Sequence, residues 1–167
     1  CSLLWPVSYC IYHPRIMPMH GYESLYLSNN KIHGKVPKWF NDVGNDSLYH
    51  LDLSHNFLTS IEHLATGNIS FLDLSNNILQ GKIPPKLNNV ANGHLDYLDL
   101  SHNNLTSIEG LSMIKVRYLD FSFNMLQGSI PPSHCNVTSL EILNFCHKNL
   151  SGFIPQCLVA LPNLSIL

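Results

Sequence analysis

Apolar and polar residues alternate with period two in short segments that recur along the chain. The pattern Leu-x-Leu-Ser-x-Asn occurs at 25–30, 51–56, 72–77 and 98–103, and with Phe121 as its second apolar residue at 119–124. A sixth copy at 143–148 has Phe145, Cys146 and Lys148 in place of Leu, Ser and Asn. Strict alternation of this kind predicts short strands, each with one buried and one exposed face.

The strands belong to a repeat. Measured at the Asn position, successive copies are 26, 21, 26, 21 and 24 residues apart. Residues 25–64 also align without a gap on residues 72–111, with 24 of 40 positions identical. Parallel neighbours require long connections of this kind, so we expect each repeat to stack on the next as one coil of a solenoid. The alternative, a β-rich globular domain, has no need of the same framework at every turn.

Two further motifs predict how each coil closes. A buried Asn after each strand is expected to bond backbone groups of its own turn and of the adjacent turn. This structural Asn ladder consists of Asn30, Asn56, Asn77, Asn103 and Asn124. A Gly-x-Ile-Pro motif or a close variant follows at 34–37, 81–84, 128–131 and 152–155. Its Pro fixes φ and favours an extended or 3₁₀ path on the outer side.

The full repeat, Leu-x-x-Leu-x-Leu-Ser-x-Asn-x-Leu-x-Gly-x-Ile-Pro, closely resembles the plant-specific class of leucine-rich repeats. The resemblance implies an α/β fold, a leucine-rich repeat solenoid or horseshoe. A parallel β-sheet would form its concave face, and 3₁₀ or extended segments its convex face. About six repeats are expected in residues 22–167, with the last one cut off. Residues 1–21 do not match the repeat and are expected to form an irregular N-terminal segment.

Finer features resemble the later repeats of plant receptor-like proteins of the fungal-resistance (Cf) type. They are Ser-His-Asn-x-Leu-Thr-Ser-Ile-Glu at 54–62 and 101–109, and the segment 130–143 that leads to 149–158. Such proteins carry a long extracellular repeat array, one membrane span and almost no cytoplasmic tail. This chain lacks their cysteine-flanked caps, their acidic juxtamembrane stretch and their span. The resemblance therefore implies an internal or C-terminal fragment of an ectodomain.

Composition removes several functions from consideration. Only 12% of the residues are charged and the net charge is -2, so no strong field is available to hold nucleic acid or an anionic membrane. No apolar run reaches the roughly 18 residues of a membrane span, and membrane attachment would require a segment that this chain does not contain. No cysteine and histidine spacing indicates a metal, and no cofactor is expected.

Stacking aligns the exposed strand positions into columns. The first column reads Ser24, His50, Phe71, Tyr97, Tyr118 and Ile142. The second reads Tyr26, Asp52, Asp73, Asp99, Asp120 and Asn144. Rings offer contact area and carboxylates orient a partner, so these columns predict a binding surface for a peptide or protein ligand. The alternative is that the Asp column is structural, because Leu-Asp-Leu-Ser is common framework in this repeat class.

Cysteines and glycosylation sequons favour a secreted environment. Cys135 and Cys157 each follow an Ile-Pro on adjacent coils, and the coil spacing of about 4.8 Å suits a disulfide. Two free, half-buried thiols are the alternative. N-glycosylation sequons are more frequent than composition alone predicts. They occur at Asn45, Asn68, Asn104, Asn136, Asn149 and Asn163.

We expect no enzymatic activity. The pairs Asp52/His55 and Asp99/His102 lie near serines, but no oxyanion-hole or phosphate-loop motif accompanies them. The resemblance implies the ligand-binding part of a cell-surface receptor-like protein in defence or developmental signalling, with a co-receptor kinase as second partner. Its place would be the extracellular face of the plasma membrane. The alternatives are a soluble apoplastic inhibitor similar to the polygalacturonase-inhibiting proteins, and a truncated, non-functional gene product.

Overall fold

A computed structural model describes residues 23–36, 47–64, 67–84, 87, 95–108, 116–130, 138–146 and 149–165. The predicted irregular segment 1–21, two sequons (Asn45 and Asn136) and Cys135 lie outside these residues. Within these ranges the elements are twelve short strands and one helical turn, and their bounds follow. They are β1 (Ser24–Tyr26), β2 (His33–Lys35), β3 (His50–Asp52), β4 (Phe57–Ser60), β5 (Phe71–Asp73), β6 (Gln80–Lys82), β7 (Tyr97–Asp99), β8 (Asn104–Ser107), β9 (Tyr118–Asp120), β10 (Gln127–Gly128), β11 (Ile142–Asn144), β12 (Asn149–Leu150) and α1 (Gln156–Val159).

The odd-numbered strands form one parallel sheet in the order β1-β3-β5-β7-β9-β11. Equivalent residues pair throughout, so that Leu25 lies opposite Leu51 and Leu51 opposite Leu72. The predicted parallel solenoid is therefore confirmed, with one sheet strand from each coil. The unbroken register is what turns positions in the repeat into straight columns on the concave face.

Each sheet strand has three residues, and every strand except β1, whose Leu25 is partly buried, buries its central leucine completely. Leu51, Leu72, Leu98, Leu119 and Leu143 have no exposed surface. The second apolar residue of each motif also points inward, and Phe121, which replaces Leu there, is fully buried against Phe145 at 5.5 Å between ring centroids. The core thus runs as a continuous stack inside the solenoid, and burial of apolar surface stabilises each coil only in contact with its neighbours.

The Asn ladder is bonded across the coils. The Asn77 amide donates to the carbonyl oxygens of Leu74 and Ser75 in its own turn, at 3.2 Å each, and to Leu53 of the preceding coil at 3.0 Å. Asn56, Asn103 and Asn124 repeat the arrangement, each reaching a leucine carbonyl one coil earlier at 2.8–3.0 Å. These bonds satisfy backbone groups that the inward turn would otherwise leave buried without partners.

The described residues also form three two-stranded parallel sheets in addition to the main sheet, a feature that the sequence pattern does not predict. They pair β2 with β4, β6 with β8 and β10 with β12. The Gly of three of the four Gly-x-Ile-Pro motifs lies in these sheets: Gly34, Gly81 and Gly128 have φ of 86°, 77° and 85°. Gly adopts this left-handed backbone without a steric penalty, which explains its recurrence in the motif.

Candidate functional site

Four rings of the first column form a continuous stack on the concave face. The centroid distance is 4.0 Å from His50 to Phe71, 4.1 Å from Phe71 to Tyr97, and 4.3 Å from Tyr97 to Tyr118. Neighbouring planes deviate from parallel by 7–9°. Tyr26 of the second column lies at the end of this ring stack, 4.8 Å from His50 and tilted by 45°. The sheet register imposes the stack because it holds successive rings one strand spacing apart.

The stacking decides what an approaching molecule meets. The faces of Phe71 and Tyr97 are covered by the rings on either side, so these residues present their edges to solvent. Ring edges carry partial positive charge and favour T-shaped contact with a flat group. The rings are half-buried rather than protruding. The column therefore offers a preorganised platform, and little side-chain entropy remains to be lost on binding.

The carboxylates of the second column have a structural role on one side. In each of the four, Oδ1 accepts a hydrogen bond from the backbone N–H of the serine two residues later, at 2.7–2.9 Å. The pairs are Asp52 with Ser54, Asp73 with Ser75, Asp99 with Ser101, and Asp120 with Ser122. A structural role thus accounts for Oδ1 of each carboxylate, whereas Oδ2 takes no part in these turn bonds.

The second carboxylate oxygen, Oδ2, has different hydrogen-bond partners along the column. The hydroxyl of Tyr97 donates to Oδ2 of Asp99 at 3.4 Å, and the hydroxyl of Tyr118 donates to Oδ2 of Asp120 at 3.3 Å. Asn144 also donates its amide to Oδ2 of Asp120, at 2.8 Å. The carboxylates of Asp99 and Asp120 are therefore engaged within the protein, and Asp120 is only 7% exposed.

Burial and neighbouring charges raise the pKa values of Tyr97, Tyr118 and Asp99. Burial, aided by the Asp99 carboxylate, raises the pKa of Tyr97 far above its ordinary value. Burial followed by the nearby Asp120 charge raises the pKa of Tyr118 as well. The pKa of Asp99 is raised mainly by burial, against the hydrogen bonds from Ser101, which lower it. The hydroxyls of Tyr97 and Tyr118 therefore stay protonated at physiological pH and remain hydrogen-bond donors.

A third column flanks the carboxylates where the chain turns inward. Its residues adopt left-handed backbone conformations with φ of 51–56°, although none is Gly. They are Asn29, His55, Asn76, His102 and Phe123. His102 and Phe123 stack at 4.2 Å. Asn tolerates this conformation well, whereas a bulky Phe is a steric outlier there. Phe123 is nonetheless 44% exposed, so its ring is available to a partner.

The sequons whose positions are described lie outside the six strands of the main sheet. Asn104 and Asn149 belong to the flanking strands β8 and β12. Asn68 lies in the turn that precedes β5. The exposed Asn163 also lies in a turn and donates to the carbonyl of Thr138 at 3.0 Å. Within the described ranges, no sequon falls in the three columns.

Cys157 is disulfide-bonded, whereas Cys146 is a free, exposed thiol. The expected partner of Cys157, Cys135, lies outside the described residues, so the pairing stays a prediction. Over the residues whose placement is described, no group of three His, Cys, Asp or Glu side chains is suited to a metal ion. No helix in that part of the chain is long and apolar enough to cross a bilayer.

The family model for the leucine-rich repeat matches residues 23–43, 47–67, 68–90, 94–113 and 115–137. The chain belongs to the leucine-rich repeat family. No curated protein matches the sequence significantly.

The chain is similar to solved structures of plant proteins. The plant peptide hormone receptor RGFR1, in complex with RGF2, is 30% identical with a TM-score of 0.74 over 87% of this chain and 24% of the receptor. The Arabidopsis receptor kinase HAESA, in complex with the peptide hormone IDA and the co-receptor SERK1, is 32% identical with a TM-score of 0.70 over 86% of this chain and 25% of that one. A plant ice-binding protein is 31% identical with a TM-score of 0.62 over 87% and 47%. The chain thus spans about a quarter of the length of the receptors that it matches.

Proposed function

We propose that this chain is the ligand-binding part of a plant cell-surface receptor-like protein of the Cf type, active in defence or developmental signalling. Its concave face binds a peptide or protein ligand, and a co-receptor kinase is its second partner. It acts by binding and not by catalysis, on the extracellular face of the plasma membrane. Two similar receptor ectodomains were solved with peptide hormones, one of them together with a co-receptor, which supports this assignment.

The proposal rests on the ring stack and the carboxylates of the concave face. A stack of four rings runs in register beside four carboxylates on the exposed side of a single parallel sheet. The core does not require aromatic rings at these positions, because the leucines between them already fill the interior. A rigid surface that combines apolar area with fixed polar groups is the type of surface on which peptide ligands find their binding energy.

Peptide selection tests the proposal. A displayed library of random 12-residue peptides is selected on the purified chain, and the recovered peptides are then titrated against two variants. Phe71→Ala/Tyr97→Ala removes the centre of the ring stack, while Phe57→Ala removes an exposed ring on the flanking strand β4. We expect about tenfold or greater loss of affinity in the first variant and little change in the second. Recovery of no peptide, or equal binding to all three proteins, would reject the proposed binding face.

A further inference from the structure

The two ends of the carboxylate column differ in their free hydrogen-bonding capacity. Asp99 and Asp120 each receive a tyrosine hydroxyl on Oδ2. The first-column residues beside Asp52 and Asp73 are His50 and Phe71, which have no hydroxyl to donate. Within the described part of the molecule, the hydrogen bonds of Asp52 and Asp73 reach Oδ1 alone. Two carboxylate oxygens, on half-buried side chains of neighbouring strands, therefore have no donor among the described residues.

No Lys or Arg side chain of the described residues lies in the three columns to compensate these two charges. Lys31, Lys35, Lys82 and Arg117 all lie outside the three columns. Arg117 is paired with Glu141 at 2.7 Å, and Lys35 lies 4.0 Å from Glu62 on the flank. Asp52 and Asp73 pair directly across the sheet, about 4.8 Å apart, so their charges repel each other. A cation placed between them would relieve that repulsion.

The adjoining ring stack adds a second requirement on the partner. Phe71 stands beside Asp73 on the same strand, and its face is covered by His50 on one side and by Tyr97 on the other. A ligand therefore meets ring edges next to the two carboxylates. A flat apolar side chain makes favourable T-shaped contact with such edges, while a neighbouring cation reaches the oxygens.

From this charge complementarity we infer that the concave face selects an extended polypeptide segment that carries a Lys or Arg beside an apolar or aromatic residue. The basic group lies between Asp52 and Asp73, and the apolar side chain lies on the ring edges of Phe71 and Tyr97. Arg satisfies the geometry best, because its planar fork donates to two carboxylates at once. The inference rests on the proposed function and adds to it the chemistry and the position of the ligand.

The experiment uses the full chain and the same random 12-residue library. Selections are run in parallel on the parent chain, on Asp52→Asn/Asp73→Asn, and on the control Asp96→Asn/Glu62→Gln. Asn retains an Oδ1 acceptor for the serine N–H, so the first variant keeps the turn bonds while losing both charges. The control removes two charges outside the three columns. Circular dichroism spectra establish that both variants remain folded.

Peptides recovered on the parent are expected to be enriched in Lys and Arg next to apolar residues. Their affinity should fall by about tenfold or more in Asp52→Asn/Asp73→Asn and should hardly change in the control. Recovered peptides that lack a basic excess, yet depend on Phe71 and Tyr97, would overturn this inference and leave the proposed function standing. Equal affinity for the parent and the Asp52→Asn/Asp73→Asn variant would overturn it as well. Recovery of no peptide at all would overturn both.

Discussion

The side-chain oxygen of Asn77 accepts a hydrogen bond from the backbone N–H of Leu58, one coil earlier, at 2.9 Å. The same amide donates to three carbonyl oxygens, and Asn77 is only 6% exposed. One side chain thus ties two coils together at the point where the chain turns into the core. The concave face depends on this bond, because the register of the sheet fixes the columns.

Replacement of Asn77 by Ala should therefore destabilise the protein strongly. The change leaves the Leu58 N–H and three carbonyls buried with fewer partners, at a cost of about 3 kcal/mol or more in the free energy of unfolding. Asn30 is the matched control, since its amide makes two bonds, both within its own turn, and it is only partly buried. Asn30→Ala should cost about 1 kcal/mol. Urea denaturation measures both, and equal losses would contradict the role assigned to the bonds between coils.

The left-handed backbone of the third column predicts an unusual stabilising substitution. His55 has φ of 51°, whereas the equivalent Asn76 occupies the same conformation with a residue that tolerates it better. His55→Asn should raise the free energy of unfolding by about 0.5 kcal/mol, and the reciprocal Asn76→His should lower it by about the same amount. Thermal unfolding of the two variants provides the measurement. Shifts of the same sign in both would show that the backbone conformation does not control stability here.

Asp99 predicts a pH dependence of stability with a definite sign. Its pKa is raised on folding, mainly by burial, so the folded chain holds this proton more tightly than the unfolded chain does. Its contribution to stability therefore declines as the pH rises from the ordinary value of 3.8 through the raised folded pKa. Asp99→Asn keeps the Oδ1 acceptor for Ser101 and cannot ionise, so it should gain stability relative to the parent over that window. Unfolding free energies measured at successive pH values test this, and a constant difference between the two proteins would refute it.

The cysteines predict a distinct alkylation pattern. Without reductant, Cys146 should react and Cys157 should not, because Cys157 is disulfide-bonded. If Cys135 is its partner, Cys135→Ser makes Cys157 reactive. The variant also loses about 3 kcal/mol of stability, as the loop-entropy model gives for a bridge closing about 22 residues. Peptide mapping by mass spectrometry gives the answer, and a Cys157 that stays bridged in the variant would exclude Cys135.

Much of the fold follows from the sequence because each coil repeats the same chemistry. Leu51, Leu72 and Leu98 occupy equivalent positions in the pattern, and the structure pairs them in register. The residues of both columns follow from that register without any knowledge of their side-chain contacts. A repeat is predictable to this degree because every coil contacts only its neighbours, so local pattern and tertiary packing coincide.

The hydrogen bonds of the candidate site depend on side-chain geometry, which the repeat pattern does not encode. The sequence places Tyr97 and Asp99 in adjacent columns, but it does not show that their hydroxyl and carboxylate bond to each other. Nor does it show that Asp52 lacks such a donor. The paired strands beside the main sheet were also not predicted, because the left-handed Gly34 and Gly81 take part in strands that break the alternating pattern.

The measurement that tests the binding face most directly is photo-cross-linking with a peptide selected on the parent chain. The peptide carries a photoreactive residue at each position in turn, and mass spectrometry locates the attachment points on the protein. We expect attachment within the three columns, in the segments 24–29, 50–55, 71–76, 97–102, 118–123 and 142–144. Attachment confined to the flanking strands, such as β4, β6 and β8, would show that the ligand binds elsewhere and would contradict a binding role of the concave face.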